Sequence, residues 1–114
     1  MEMNEKNDGN RNGRLGDVDI VLSRGVDNEA VANIPQRKVL HSPDGFEWGY
    51  GGSGPADLAL NILLCFTDEH SAEWLHQPFK REFLCAMPAR GGVIPAWKIR
   101  RWIEAWSQCS KEEG

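Results

Sequence analysis

The chain is poor in cysteine and has no long apolar run. Its three cysteines are an odd number without a CxxC pair, so no disulfide framework is expected. The apolar stretch LALNILLCF at 58–66 is much shorter than the roughly 20 residues that a membrane span needs. The polar first residues also lack the apolar core of a signal peptide. We therefore expect a protein of the reducing cytoplasm.

An excess of basic residues is missing too, as are the motifs of catalytic and metal sites. The formal net charge is −4 and the pI is about 5.3, which excludes a whole-chain basic footprint for DNA. His70 and His76 are six residues apart, a spacing that does not place two metal ligands on one helix face. Ser53 lies in GGSGP, which departs from the GxSxG motif of a nucleophilic serine. No catalytic residue, metal or cofactor is predicted.

The length of 114 residues allows one domain. Residues 1–16 contain almost nothing apolar and cannot bury enough surface to offset the entropy of ordering, so we expect a disordered arm. Residues 108–114 are expected to fray. Residues 17–107 remain as a single α+β domain, which is small enough to gain stability from self-association.

The domain begins with a predicted β-hairpin. In DVDIVLS (17–23) apolar residues recur at every second position, which is the period of a half-buried strand. RGVDNE (24–29) carries turn residues, and AVANIP (30–35) can return as a second strand that Pro35 ends. Because two strands alone are barely stable, the hairpin must pack on helices or on a partner's sheet.

Three α-helices are predicted to follow, at 55–66, 67–88 and 93–106. The first is almost wholly apolar, with Asp57 and Asn61 one turn apart on a narrow face, and is expected to be central and buried. The second should kink or break at Gln77–Pro78. A short strand at Val93–Ile94 can precede the third, in which Ile99, Trp102, Ile103 and Trp106 recur at i, i+3, i+4 and i+7 and predict an apolar stripe. The predicted fold class is α+β, with an N-terminal β-hairpin, a Gly-aromatic loop and three α-helices.

The Gly-aromatic loop, GFEWGYGGSGP at 45–55, holds five glycines in its first ten residues. A glycine in an ordered position costs about 0.5–1 kcal/mol relative to alanine, so this density needs a reason. Either the backbone adopts left-handed dihedral angles, or another group approaches too closely for a Cβ. The loop also leads into a helix N-terminus, where the first amides lack partners and the helix dipole is positive.

Interpreted as a binding site, this loop offers several kinds of contact to a nucleotide. Its amides would surround a phosphate, an aromatic ring would stack on a base, and a carboxylate would accept hydrogen bonds from a sugar or base edge. A guanidinium from the last helix would close the site on the phosphate. The predicted ligand-binding residues are Glu47, Trp48, Tyr50, Gly51, Gly52, Ser53, Gly54, Arg100 and Arg101. The alternative, a purely architectural turn covered by Trp48, stays open.

The stretch HSPDGFEWGYGGSGPADLALNILL at 41–64 resembles the signature HSPxGFEWGYGGSGPAxLAL of a small uncharacterised family common in phages and prophages. A later Phe–Lys pair, Phe79–Lys80 here, is part of the resemblance, which covers about residues 17–105. The family implies no enzyme activity. It implies a phage context, in which small proteins often inhibit host immunity by sequestering nucleotide signals or by blocking a defence protein.

Together these features predict a non-catalytic phage counter-defence protein in the host cytoplasm. It would bind and sequester a nucleotide-type immune signal, such as a cyclic oligonucleotide or a molecule of the cyclic ADP-ribose type. The alternative is an anti-CRISPR-like protein that inhibits a host defence effector through an acidic, Trp-bearing surface. Trp74 and Trp97 are expected to be exposed, and exposed aromatic residues favour a homo-oligomer.

Overall fold

The fold is described for residues 18–40 and 45–113 of a computed structural model, without the side chains of 108–113. The arm predicted at 1–16 lies outside these residues. The elements in chain order are β1 (Ile20–Arg24), β2 (Ala30–Ala32), α1 (Ser53–Leu64), α2 (Glu69–Phe79), a π-helical turn (Lys80–Leu84), β3 (Gly92–Ile94) and α3 (Ala96–Glu113). The predicted α+β class, a hairpin followed by three helices, is confirmed, and β3 adds a third strand to the hairpin.

The three strands form an antiparallel sheet in the order β2-β1-β3. Ile20, Leu22 and Ile94 are buried on its inner face, where they join the core built around α1. Val21 and Val93 alternate with them and are 42% and 57% exposed on the outer face. The period-two pattern of the sequence therefore predicted correctly which side chains of β1 face the core.

Helix α1 is the centre of the molecule. All its residues from Gly54 to Leu64 are buried, and Cys65, directly after it, is a buried core residue as well. The helix N-cap is Gly52, which has no side chain to bond the first amides. A helix that is apolar on nearly every side can exist only when it is covered on every side. The sheet, α2 and the segment before the Gly-aromatic loop provide this cover.

The polar residues of α1 face that preceding segment and not solvent. Asn61 is fully buried, and its Oδ1 accepts hydrogen bonds from the amides of Arg37 at 2.6 Å and Lys38 at 2.9 Å. Its Nδ2 donates to the carbonyl of Lys38 at 2.8 Å. The carboxylate of Asp57 accepts from the amide of Leu40 at 3.2 Å. This narrow polar face thus binds extended chain at 37–40 across the core helix.

Helix α2 begins at a capped position and does not break at Gln77–Pro78, where a kink or break was predicted. Asp68 caps the helix by accepting from the amide of Ser71 at 2.8 Å. The helix continues through Pro78, and only after Phe79 does it widen into the π-helical turn. Proline lacks the N–H that the preceding turn needs, but its fixed φ is helical. The wider turn absorbs the misfit while Phe79 and Leu84 both stay buried.

Helix α3 packs against α2 and the π-helical turn through aromatic contacts. The ring of Trp102 meets those of Phe79 and Phe83 with centroids 5.2 and 6.0 Å apart. Ile99 is fully buried, whereas Trp106 at the end of the stripe is 36% exposed. The i, i+3, i+4, i+7 pattern in the sequence therefore identified the packed face. Among the described residues, no helix has the length and apolar character that crossing a membrane requires.

Candidate ligand-binding groove

The Gly-aromatic loop is fastened to the π-helical turn. The amide of Gly49 donates to the carbonyl of Leu84 at 2.8 Å, and Nζ of Lys80 donates to the carbonyl of Gly51 at 3.2 Å. Gly49 and Gly45 have φ of +92° and +103°, angles that side-chain-bearing residues rarely adopt. Two of the five glycines are therefore explained by left-handed backbone.

Two further glycines are explained by close approach of the chain's own side chains. A Cβ placed on Gly52 would lie 2.4 Å from Cε2 of the Tyr50 ring. A Cβ placed on Gly54 would lie 2.9 Å from Cβ of Glu47. Gly51 is different, because an added Cβ would meet only Cys85 Sγ, at 3.7 Å. Much of the glycine density is thus used to let the loop fold back on the start of α1.

Trp48 is a core residue of this loop. Its side chain is only 2% exposed, and its indole N–H lies between the carbonyls of Pro88 and Ala89, at 3.0 and 3.1 Å. The guanidinium of Arg24 covers the ring, 4.3 Å from its centroid. A buried and covered ring cannot receive a base, so of the two aromatic candidates only Tyr50 is placed for stacking.

Glu47 is held by Arg24 in a two-bond ion pair. Nη1 and Nη2 of the guanidinium donate to Oε2 and Oε1 at 3.0 and 3.1 Å. The hydrogen bonds from Arg24, with a smaller contribution from the amide of Trp48, hold the pKa of the Glu47 carboxyl below its usual range. Arg24 also donates from Nε to the carbonyl of Ala89 at 2.7 Å. One arginine of β1 therefore ties the loop to the segment before β3.

At the start of α1, the amides of Ser53 and Gly54 have no acceptor among the described residues. Gly52 is an N-cap without a side chain, and its carbonyl accepts from Ala56 at 3.2 Å. Pro55 has no N–H, so the amides of Ser53 and Gly54 are the ones that need a partner. Within 18–40 and 45–113, no acceptor bonds either amide. Amides in this position lie at the positive end of the helix dipole.

A groove of about 750 Å³ lies beside these amides. Its walls are β2 with the residues that follow it, the first half of the Gly-aromatic loop, and the start of α1. The described residues that line it are Glu29, Ala30, Val31, Ala32, Ile34, Gln36, Gly45, Phe46, Glu47, Tyr50, Ser53 and Gly54. Four of the predicted site residues, Glu47, Tyr50, Ser53 and Gly54, therefore share one groove, and Tyr50 is 51% exposed in it.

The other predicted residues lie elsewhere. Trp48, Gly51 and Gly52 lie in the same loop but do not line the groove. Arg100 and Arg101 are exposed on α3, none of whose described residues lines the groove. Helix α3 packs on α2 and the π-helical turn, and its arginines are not part of the groove lining that the structure describes.

Sequence reasoning missed two parts of the site. Arg24 was assigned to a turn, and nothing in the sequence links it to Glu47, 23 residues later. The wall formed by β2 was also missed, although its alternation and its position before Pro35 predicted a strand. Phe46 and Gln36 extend the same groove. Their contribution follows from the chain crossing α1 at 37–40, which Asp57 and Asn61 could have suggested.

The lining of the groove is rich in hydrogen-bonding groups. It combines two carboxylates, two hydroxyl groups, one side-chain amide, one phenyl and one phenol ring, and two backbone amides that have no acceptor among the described residues. Across the described part of the chain, no three His, Cys, Asp or Glu side chains cluster closely enough to hold a metal ion. What the groove offers is a set of hydrogen-bond donors and acceptors around a space for a small molecule.

Comparison with known proteins finds one match. The family of unknown function DUF6166 matches residues 9–105, which include every residue of the groove. No curated protein and no solved structure matches the chain.

Proposed function

Because the chain belongs to the family of unknown function DUF6166, we propose its function from its own geometry: it binds and sequesters a nucleotide-type ligand without transforming it. The observation that carries this proposal is the groove. Its volume of about 750 Å³ falls within the range of about 300–1,000 Å³ that is usual for small-molecule sites. It places amide donors, an aromatic ring and hydrogen-bonding side chains around one space.

The phosphate of the ligand would lie at the start of α1. The amides of Ser53 and Gly54 have no acceptor among the described residues, and both residues line the groove. Helix N-termini bind phosphate because unpaired amides and the helix dipole act on it together. A buried dipole contributes at most about 2 kcal/mol, so the rest of the ligand must supply further contacts.

The base of the ligand would stack on Tyr50. This ring is 51% exposed, lines the groove and is supported from below by Gly52, which has no side chain to displace it. Stacking of a base on an aromatic side chain is worth about 1–3 kcal/mol. Tyr50 would thus provide the stacking contact that the buried Trp48 cannot provide.

The charges of the groove favour a ligand with few negative charges. Glu29 and Glu47 line it, and none of its described lining residues is a lysine or an arginine. Arg24 lies behind Glu47 and neutralises it. A triphosphate would meet no compensating cation, whereas a phosphodiester carries one charge per phosphate. Cyclic dinucleotides and molecules of the cyclic ADP-ribose type, with two charges each, are therefore favoured first, cyclic trinucleotides with three charges come next, and ATP is disfavoured.

The test is a ligand panel followed by variants of the groove. Cyclic di- and trinucleotides, cyclic ADP-ribose isomers and ATP are each added to the protein, and the melting temperature is measured. A ligand at 100 times its dissociation constant adds about 2.7 kcal/mol. For a domain of this size, that raises the melting temperature by about 10–20 °C. ATP should give the smallest shift.

Two substitutions then test the placement of the ligand. Tyr50→Ala should weaken binding by about fivefold to 100-fold because stacking is lost. Trp97→Ala is the matched control, since Trp97 is 55% exposed on α3 and should leave binding unchanged. Ser53→Pro removes one amide donor at the first helical position, where proline is well tolerated. It should weaken binding by about tenfold at an unchanged melting temperature.

Two results would contradict the proposed nucleotide binding in the groove. If no member of the panel raises the melting temperature, the groove does not bind nucleotides of these classes. If a ligand binds but neither Tyr50→Ala nor Ser53→Pro weakens it, the ligand binds elsewhere.

We further propose that this binding serves phage counter-defence in the host cytoplasm. The support is the 41–64 stretch, which resembles the phage and prophage signature described above. A protein that sequesters a signal needs only affinity and abundance, which agrees with a groove suited to binding. We also propose that the protein is a homo-oligomer, and light scattering of the full chain tests this.

The second candidate function, inhibition of a host defence protein by direct binding, is favoured by an aromatic surface. Trp74 and Trp97 are 56% and 55% exposed. Trp74 meets Trp106 edge to face, with centroids 6.1 Å apart, beside a cleft of about 310 Å³ between α2 and α3. Exposed tryptophans are over-represented at the centres of protein interfaces. A pull-down of host proteins that Trp74→Ala abolishes, with no ligand from the panel bound, would favour this function.

A further inference from the structure

Strand β2 presents an open backbone edge to the groove. It lies at the end of the sheet, with β1 as its neighbour. Glu29 and Asn33, which lie directly before and after β2 in the chain, direct backbone groups toward the β1 side of the hairpin. The amide of Asn33 donates to the carbonyl of Val21 at 3.2 Å, and the carbonyl of Glu29 accepts from the amide of Gly25 at 2.9 Å.

The direction of the remaining backbone groups follows from alternation. In an antiparallel pair, successive residues direct N–H and C=O alternately toward the neighbouring strand and away from it. Because the backbone groups of residues 29 and 33 point toward the β1 side, those of Val31 point the same way, opposite Ser23. Ala30 and Ala32 therefore direct both N–H and C=O to the open side.

The open side of β2 faces the candidate site. Ala30 and Ala32 line the groove and are half-buried, with their methyl groups against the core. Over the described ranges, no strand other than β1 pairs with β2. The strand also lacks the lysine, proline or bulge that commonly protects an open edge. Two donor–acceptor pairs of the backbone thus lie along the groove.

We propose that the backbone N–H and C=O groups of Ala30 and Ala32 form hydrogen bonds with the edge of the ligand's base. This inference rests on the nucleotide-binding function proposed above. Each nucleobase presents adjacent donors and acceptors in the plane of its ring. One outward residue of a strand edge presents a matching N–H and C=O. The base then lies between Tyr50, which stacks on its face, and β2, which bonds its edge.

An added peptide strand is the other possible occupant of an open edge. Strand β2 is too short to favour an added peptide strand. The strand has three residues, of which only Ala30 and Ala32 face outward, whereas typical strands use about five or six residues. Gly45 and Phe46 of the Gly-aromatic loop line the same groove. An edge with only two outward residues fits a base better than a polypeptide.

The experiment uses a proline to remove a single outward donor. Ala32→Pro deletes an N–H that faces the groove, and Val31, which precedes it, is in the extended conformation that proline requires. The ladder with β1 should remain, so the melting temperature should stay within about 2 °C. Affinity for 3′,3′-cyclic di-AMP, measured by calorimetry, should fall by about three- to tenfold, the effect of one hydrogen bond. Val31→Pro is the contrast, since it deletes a ladder donor and should lower the melting temperature.

A second measurement needs no substitution. In the wild-type protein, hydrogen exchange at the amides of Ala30 and Ala32 should slow by about tenfold or more when 3′,3′-cyclic di-AMP saturates the protein. If the wild type binds this ligand but Ala32→Pro binds it equally well, or the two amides exchange at unchanged rates, the base is not read by β2 while the proposed function stands. If the wild type binds no nucleotide at all, the proposed function fails and this inference fails with it. Equal destabilisation by Ala32→Pro and Val31→Pro would contradict the assigned strand direction.

Discussion

Arg24→Ala should be among the most damaging single substitutions outside the hydrophobic core. The guanidinium contacts four residues. It forms the two-bond ion pair with Glu47, covers the ring of Trp48 at 4.3 Å, and donates to the carbonyls of Ala89 at 2.7 Å and Asn28 at 3.4 Å. Its side chain is only 17% exposed. The substitution would therefore open the contact between β1, the Gly-aromatic loop and the segment before β3.

The size of the effect can be estimated contact by contact. The ion pair is partly exposed and contributes about 1 kcal/mol, at the upper end for such pairs. The cation–π contact contributes about 0.5–1 kcal/mol. The hydrogen bond to Ala89 contributes about 1 kcal/mol. We expect Arg24→Ala to lower the free energy of unfolding by about 2–3 kcal/mol, which for about 90 folded residues lowers the melting temperature by about 10–20 °C.

The assay is thermal and urea unfolding of the full chain, followed by circular dichroism, with three companion variants. Glu47→Gln should lose only about 1 kcal/mol, because the other contacts of Arg24 remain. Arg24→Lys keeps the charge but loses the two-bond geometry and most of the stacking, so it should fall between the two. Arg90→Ala, at an exposed arginine two residues from Pro88, is the matched control and should have no effect. A melting temperature of Arg24→Ala within about 2 °C of the wild type would refute the reasoning.

Three further predictions concern the loop and the core helix. Gly54→Ala should destabilise the protein by about 1–3 kcal/mol although alanine is the better helix former, because its Cβ would lie 2.9 Å from Cβ of Glu47. Gly51→Ala is the control and should be nearly neutral, since its Cβ would meet nothing closer than 3.7 Å. Equal melting temperatures of the two variants would contradict the predicted difference. Asn61→Leu should cost about 2–4 kcal/mol in urea unfolding, since it deletes the buried bonds to the 37–38 backbone, and a neutral result would show that water replaces them. The pKa of Glu47 is lowered in the folded state, so its contribution to stability is present above the ordinary carboxyl value of 4.5 and is lost as the pH falls through the folded value. Between pH 6 and pH 2, the free energy of unfolding should therefore fall less steeply for Glu47→Gln than for the wild type. Identical pH profiles of the two proteins would contradict this role of Glu47.

Much of the fold follows from local patterns in the sequence. Alternation in 17–23 predicted which residues of β1 face the core, and the i, i+3, i+4, i+7 pattern of α3 predicted an apolar stripe that includes Trp102, which packs on Phe79. The expected break at Gln77–Pro78 was not found, because proline constrains only the local backbone, while the burial of Phe79 and Leu84 keeps the helix continuous.

The candidate site was predictable only in part. The density of glycine before a buried helix indicated an unusual loop and unpaired amides, and Ser53 and Gly54 are placed accordingly. Which aromatic residue covers the core and which lines a groove could not be predicted. Trp48 and Tyr50 are two residues apart, yet Trp48 is buried under Arg24 with its indole bonded to the 88–89 backbone, whereas Tyr50 is half exposed.

Local sequence patterns are enough to specify the order of the elements, the burial of α1 and the presence of amide donors at its start. These properties depend on the spacing of apolar residues and on glycine and proline, which act within a few residues along the chain. Three further features arise from the folded arrangement: Arg24 holds Glu47, Asn61 binds the 37–38 backbone, and β2 forms a wall of the groove. These contacts join residues 23 or more positions apart, or depend on which strand lies at the edge of the sheet, and neither is specified by any local pattern.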